Sequence, residues 1–565
     1  MVAHKPVFFD EKRERWRRAR RIGEVASALL TVLLIAFLVN VSRRLDLPQL
    51  MLPDSRPTLH AIRQKTRTLP VRQRAGRRSR VLPRQAKGGP GEPLRAAFYV
   101  AWDPASFAAL RQHHDQIDLL VPESLHMTSA EGRVQVEADP KLEEWLRTTQ
   151  TDLQVMPLVN NSDGTRWYVE ELAQMLARPA ARSEAVAQLV AHLTGAHRPG
   201  LVVDFEEVPQ DSQREFVAFV RELAQALHRS TLQLMVALPA ADPAYDYRAI
   251  GRAADAVVLM DYDQHWLTSA PGPIAAQDWF VRNLESTLAL VPREKLVMAI
   301  AGYAYDWTLP KAGDAGPHAR ALSFQESLVT ALESEATVEL DPESLNPHFA
   351  YGDENGRTHQ VWITDAVTTF NELRACEDAG VHGTVLWRLG SEDPSLWSFW
   401  GKSRVTSADV DRLADVPPGY DLVLEGDGDV WRMLATPESG QREIRRDPSN
   451  GLIVGASYTR LPKTWQIEQI GARPRQIVLS FDDGPDPRNT PAILDVLKSR
   501  NAPAAFFVTG LAANEYPGLL RREYREGHEI GNHSYTHPHF ERISRAQLLL
   551  ELNLTARLFE SLIGA

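Results

Sequence analysis

The sequence is poor in cysteine: among 565 residues only Cys376 carries a thiol. That excludes an intrachain disulfide framework and a cysteine-rich zinc site, so any metal must be held by His, Asp or Glu. Long apolar runs are also scarce, the conspicuous one being Val25 to Val41. Basic charge is lacking from most of the chain. The first 90 residues carry 21 Lys+Arg against 6 Asp+Glu, whereas the remainder carries 42 against 67. An acidic folded region argues against nucleic acid as a partner, because phosphate backbones call for basic surface. Apolar residues make up 44% and charged residues 24%, ordinary values for globular chains, so the bulk is neither disordered nor collagen-like. At about 150 residues per domain the length implies roughly three or four domains.

The basic end has an anatomy of its own: a run from Lys12 to Arg21, the apolar stretch, then Arg43 and Arg44. At about 1.5 Å per helical residue the apolar stretch is just long enough for a hydrocarbon core of roughly 30 Å. The pattern predicts a basic cytoplasmic segment over 1–24, a transmembrane anchor over 25–41 and an Arg/Pro-rich linker over 42–93. No small-x-small cleavage site follows the apolar run, which favours an anchor over a signal peptide. Both flanks are basic, so orientation must come from the domains that follow. The expectation is an inner or cell membrane protein with a single-pass anchor, membrane lipid as a partner, and its domains on the extracytoplasmic side.

Between residues 94 and 402, short apolar runs alternate with amphipathic helical segments, the pattern of repeated β-α units. Eight candidate strands begin at Arg95, Ile117, Asp152, Gly200, Leu232, Asp255, Lys295 and Gly383. The expected fold class is α/β, a (β/α)8 TIM barrel with catalytic groups at the carboxyl ends of its strands. Ser212 and Glu215 form a capping-box pattern ahead of a helix whose Phe216, Phe219, Leu223 and Leu227 share one face. On the fourth strand, Asp204 and Glu206 are two apart and share a face, while Glu207 points elsewhere. Neighbouring like charges raise a carboxyl pKa and suit Glu206 to hold a proton as a general acid. From spacing alone an ordinary acidic strand end remains the alternative.

The segment VVDFEEVP resembles the catalytic strand of the family 18 glycoside hydrolases, especially their spore-germination-type members. LMDYDQHW is similar to that family's sixth-strand Met-x-Tyr-Asp motif, and VLWRLGSEDPSLW to its eighth-strand tryptophan segment. The resemblance implies that Glu206 protonates the glycosidic oxygen, Asp204 orients the substrate acetamide, Tyr262 hydrogen-bonds the acetamide carbonyl, and Asp263 and Trp387 line the sugar site. It also implies substrate assistance, in which the sugar's own N-acetyl oxygen is the nucleophile, so the substrate must carry N-acetyl. The sequence departs from the family's Asp-x-x-Asp-x-Asp-x-Glu pattern at Pro199 and Val202. Two readings of the barrel therefore stand, hydrolysis and non-catalytic glycan binding.

Residues 403–475 contain turn signals and short apolar runs and are expected to form a small β-rich connector. From 476, IVLSFDDGPDP is an apolar strand ending in two aspartates and a Gly-Pro turn, and EIGNHSYTHPHF places His533 and His537 four apart. Two imidazoles at that spacing plus one carboxylate make a three-ligand set with open positions for water. These motifs resemble the NodB-type polysaccharide deacetylases (carbohydrate esterase family 4), whose fold is a distorted (β/α) barrel. The resemblance implies that Asp483, His533 and His537 bind a divalent metal, usually zinc. It makes Asp482 the base that takes the proton of the attacking water and a backbone amide such as that of Tyr535 the oxyanion donor, with Ser534 ordering the histidine loop. The family's Arg-Pro-Pro-Tyr and Leu-x-His segments do not occur before Ala565, so the domain over 476–565 is expected to be incomplete. Fusions of this kind resemble proteins that continue into a family 2 glycosyltransferase, a candidate partner in cis or in trans. The functional expectation is metal-dependent N-deacetylation of an extracytoplasmic N-acetylhexosamine polysaccharide, chitin- or poly-N-acetylglucosamine-like, coupled to a barrel that binds or hydrolyses the same glycan. A non-catalytic glycan-binding or export scaffold and a peptidoglycan-remodelling hydrolase are the alternatives.

Overall fold

The computed structural model describes residues 93–564, apart from 311–317, 354–355, 403–405, 421, 427, 429 and 472–476. Eight parallel strands close into a barrel: β1 (Leu94–Tyr99), β2 (Leu119–His126), β3 (Leu158–Asn160), β4 (Gly200–Asp204), β5 (Gln233–Pro239), β6 (Ala256–Met260), β7 (Leu296–Ala301) and β8 (Gly383–Trp387). Each pairs with its sequence neighbours, and β1 pairs with both β8 and β2, which closes the ring. All eight expected strands are present. Period-two alternation sorts their side chains into two cores. Ala96, Val121, Leu158, Val202, Ala237, Val258, Val297 and Val385 fill the interior, and residues of the opposite parity, such as Leu201 and Val203 on β4 and Phe205 just beyond it, pack outward against the helices.

Helix α1 (Gln213–Arg229) buries Phe216, Phe219, Leu223 and Leu227, the face that the spacing predicts. The expected capping box is absent, because Ser212 stands at the N-cap without a side-chain cap bond. It closes a 3-10 turn over Gln210–Ser212, and its φ of −92° and ψ of 3° depart from the extended backbone an N-cap side chain needs to reach back to the helix amides.

Between β7 and β8 the chain inserts an antiparallel sheet, which the stretch expected as a connector extends. Strand Ile453–Arg460 pairs with Glu339–Leu340 through Glu339 and Ser457, and Gly440–Arg446 pairs with Ile453–Arg460 in turn. A fully buried cation ties this layer to the barrel. Arg442 donates from Nη1 to Asp365 Oδ2 at 2.9 Å and Asp393 Oδ2 at 2.8 Å, and from Nη2 to Ser395 Oγ at 2.6 Å. Its Nε donates to the Leu413 carbonyl at 2.6 Å. The rest of the connector forms a separate three-stranded sheet from Leu422–Gly426, Val430–Ala435 and Trp465–Ile470.

The carboxyl-terminal segment carries three parallel strands, β9 (Ser480–Gly484), β10 (Ala505–Val508) and β11 (Glu529–Asn532). Helices α2 (Thr490–Arg500) and α3 (Arg545–Ile563) contribute Leu494, Leu497 and Phe559 to a core with Phe506 and Val508. The membrane localisation expected above requires correction. Among the described residues no helix is long and apolar enough to cross a membrane. The longest of them, α3, has 19 residues but carries Arg545, Glu551, Arg557 and Glu560 within them, whereas a span needs about 20 predominantly apolar residues. The span expected over 25–41 lies outside the described residues.

Candidate active sites

The parity of β4 decides what reaches the barrel mouth. Val202 belongs to the interior core while Val203 and Phe205 pack outward, so Asp204 and Glu206 face inward at the carboxyl end. Glu207 is exposed and adopts a φ of 52°, which turns the chain away from the mouth. Two clamps hold the backbone between these carboxylates. Asn161 donates from Nδ2 to the Glu206 carbonyl at 3.0 Å and accepts at Oδ1 from the Glu206 amide at 2.8 Å. Tyr245, buried beneath them, donates its hydroxyl to the Phe205 carbonyl at 2.9 Å.

Burial dominates the electrostatics of this pair. Asp204 is pushed up to about 7, first by burial and then by the negative charge of Glu123. Its Oδ1 finds no hydrogen-bond partner among the described residues. Glu206 is held well above the usual carboxylate range by burial, then by Asp204 and Asp263. Both shifts favour the protonated form, as a general acid requires.

Tyr262 and Trp387 pack against the same two apolar clusters. Tyr262 meets the Tyr303 ring edge-on at 6.1 Å, and Trp387 meets Phe98 at 5.0 Å. The Tyr262 hydroxyl is held protonated by burial and by Asp204, Glu206 and Asp263. Asp263, with a φ of 61°, accepts hydrogen bonds from the Tyr303 hydroxyl and, at 3.1 Å, from that of Tyr305. The structure thus brings Asp204, Glu206, Tyr262 and Asp263 close enough to perturb one another, with Trp387 on the wall beside Tyr262.

Sequence reasoning missed Glu123, Asn161, Tyr303, Tyr305 and Trp102. Glu123 was within reach of it: the residue lies two beyond the interior Val121 on β2, the same alternation that singles out Asp204. Trp102, which follows β1, is 65% exposed, with the Arg388 guanidinium over its ring at 4.4 Å. Tyr303 and Tyr305 come from the insertion after β7, whose path the barrel pattern does not encode.

The second site is built by three left-handed residues. Asp483, Ser534 and His537 have φ values of 66°, 60° and 55°, and the register of β9 against β10 slips between Asp482 and Gly484. The slip re-aims the end of β9, where the two adjacent aspartates stand. The Ser534 hydroxyl accepts from the His537 amide at 3.1 Å, so Ser534 orders the loop. His533 Nε2 and His537 Nε2 lie 3.3 and 3.7 Å from Asp483 Oδ1, and the two imidazoles stack at 4.8 Å. One donor atom from each of the three residues lies within 4.8 Å of the others. A carboxylate oxygen and two imidazole nitrogens so gathered fit a divalent cation. The Tyr535 amide, expected as an oxyanion donor, donates instead to Glu551 Oε2 at 2.8 Å, as does the Thr536 amide at 2.6 Å. Glu551 on α3 therefore pins the histidine loop and occupies that amide. His539 is exposed, 3.5 Å from Glu541 Oε1.

Residues 94–392, more than half of the chain, match the family model of the glycosyl hydrolases family 18. The chain belongs to that family. Residues 470–565 match the polysaccharide deacetylase model, so a deacetylase domain follows the family 18 domain. The crystal structure of a chitinase from Chromobacterium violaceum is similar to the chain at 27% identity and a TM-score of 0.50, covering 55% of this chain and 100% of that one. The cortical fragment-lytic enzyme of Bacillus subtilis is 31% identical over 34% of this chain and 47% of its own length. The peptidoglycan-N-acetylmuramic acid deacetylase PdaC of the same organism is 41% identical over 18% of this chain and 22% of its own length. The chain thus spans half or less of each of these two curated relatives. The chain thus joins a family 18 domain to a segment that matches the polysaccharide deacetylase model.

Proposed function

We propose that the chain removes N-acetyl groups from an N-acetylhexosamine polysaccharide, chitin- or poly-N-acetylglucosamine-like, in a metal-dependent reaction, and that its barrel hydrolyses the same glycan. The observation that carries this reading is the convergence of Asp483, His533 and His537 on one point at the end of a parallel sheet. That donor set suits zinc, and a divalent cation held there supplies Lewis acidity to water and to the acetamide carbonyl. Asp482, beside the ligand Asp483, takes the proton of the attacking water. Ser534 and Glu551 keep the two imidazoles in place by fixing their loop.

In the barrel, Glu206 gives its proton to the glycosidic oxygen while the substrate's acetamide oxygen attacks the anomeric carbon. Asp204 and Tyr262 orient that acetamide, and Asp263 and Trp387 line the sugar. The two activities share a requirement, since deacetylated units lack the nucleophile that the barrel uses. Deacetylated stretches therefore resist the barrel. The name of the deacetylase relative PdaC favours peptidoglycan as a second candidate glycan.

The test is product analysis by mass spectrometry with the full chain on N-acetylglucosamine oligomers and on peptidoglycan fragments. Chelator-sensitive loss of acetyl groups supports the deacetylase, and chain shortening abolished by Glu206→Gln supports the hydrolase. Shortening that survives Glu206→Gln refutes the assigned acid, and acetyl release that survives Asp483→Asn refutes the metal-dependent reading.

A further inference from the structure

The barrel lacks a carboxylate at position 202, where an apolar Val202 faces the interior. Strand pairing shows what takes its place. Glu123 on β2 is in register with Leu158 on β3, and Leu158 with Val202 on β4, so the three form one row across adjacent strands. Leu119, Val121 and Leu158 all point into the barrel, which sets Glu123 facing inward two residues beyond Val121. One step nearer the mouth, Asn160 is in register with Asp204. Asn160 Nδ2 donates to Glu123 Oε1 at 2.7 Å. Its Oδ1 accepts from the Ser162 amide at 3.2 Å and faces His126 Nδ1 at 2.9 Å. The Ser162 amide can only donate, so the Asn160 carboxamide is fixed with its NH2 toward Glu123. His126 continues the chain to Glu137 Oε2 at 3.2 Å. Glu123 is therefore a held carboxylate at the barrel mouth.

We propose that Glu123 supplies from a different strand the partner carboxylate that position 202 lacks, and that it acts as a positioning residue which keeps the proton on Asp204. Its negative charge is, after burial, the main influence on Asp204, and it also acts on Glu206. The other groups that face this pair are Tyr262, Asp263, Glu207, Tyr245 and Tyr305. None of them is cationic; on its other side Glu123 Oε2 accepts from Trp102 Nε1 at 3.5 Å, and the Arg388 guanidinium that lies over the Trp102 ring is paired with Asp103. A protonated Asp204 is neutral, whereas an ionised one repels Glu206. The role in positioning the acid rests on the hydrolase reading of the barrel; the charge coupling to Asp204 does not.

The test is a double-mutant cycle of Glu123→Gln and Asp204→Asn in the full chain, read by urea unfolding at about pH 5 and about pH 8. Glutamine keeps an oxygen for Asn160 Nδ2 and removes the charge, at the cost of the long 3.5 Å bond that Glu123 Oε2 accepts from Trp102 Nε1, a loss that is the same at both pH values and with or without Asp204→Asn. Near pH 5 Asp204 is protonated and the coupling is expected to be small. Near pH 8 Glu123→Gln is expected to raise the urea midpoint of the otherwise wild-type chain and to leave it unchanged when Asp204→Asn is already present, while Glu123→Asp behaves as wild type. Where chain cleavage is measurable, Glu123→Gln moves its alkaline limb to lower pH. Equal effects of Glu123→Gln with and without Asp204→Asn, or at both pH values, would overturn the proposal. No substrate is needed for the cycle, so absence of chain shortening would sink the hydrolase reading and leave this test standing.

Discussion

Replacing Asp204 by Asn should stabilise the fold in a way that depends on pH. The wild-type carboxyl ionises at about 7 when folded, against an ordinary value of 3.8. For an acid raised by folding, stability is whole below the unfolded value and is lost as pH climbs through the folded one. Above both values the buried charge costs about 4 kcal/mol, and near pH 5 only about 1.5 kcal/mol. Asparagine carries no proton to lose, so Asp204→Asn is expected to gain these amounts, about 1.5 kcal/mol near pH 5 and about 4 kcal/mol near pH 8. Relief of Glu206, which also feels the Asp204 charge, acts in the same direction. Urea unfolding of the full chain, followed by tryptophan fluorescence, measures both values. A variant equally stabilised at the two pH values, or less stable than wild type near pH 8, would refute the placement of Asp204 as a buried, unneutralised acid.

Three further outcomes follow from the geometry. Arg442→Ala leaves Asp365 and Asp393 buried without their cation and is expected to cost about 3–5 kcal/mol in urea unfolding. Glu551→Ala frees the Tyr535 and Thr536 amides, so hydrogen exchange at both should quicken and stability should fall by about 1–3 kcal/mol. A Cβ at Gly510 would meet Tyr535 Cδ2 at 2.2 Å and Thr555 Oγ1 at 2.7 Å, so Gly510→Ala should displace the histidine loop and weaken zinc binding by about tenfold, read by calorimetric titration with the metal alone.

Much of this protein is legible in its amino-acid order because the relevant spacing is short. Eight apolar runs specify eight strands, and alternation on a single strand specifies that Asp204 and Glu206 share a face, which the folded barrel turns inward while Phe205 packs outward. A His-x3-His segment and an Asp-Asp-Gly-Pro turn mark where two imidazoles and a carboxylate suited to a cation lie, and the family resemblance singles out Asp483 from Asp482. Local rules fail where backbone geometry intervenes: the Ser212 cap is lost to a 3-10 turn, and the Tyr535 amide is taken by a carboxylate sixteen residues away on α3. Meetings between distant segments were settled by the folded chain alone. Glu123 and Val202 share a row through strand register, Tyr303 and Tyr305 reach Asp263 from an insertion, and Arg442 crosses from one sheet to neutralise Asp365 and Asp393. Periodicity states which way a side chain points from its own strand, but which other side chain it then faces depends on barrel closure and pairing register, and these are set by the packing of the whole chain.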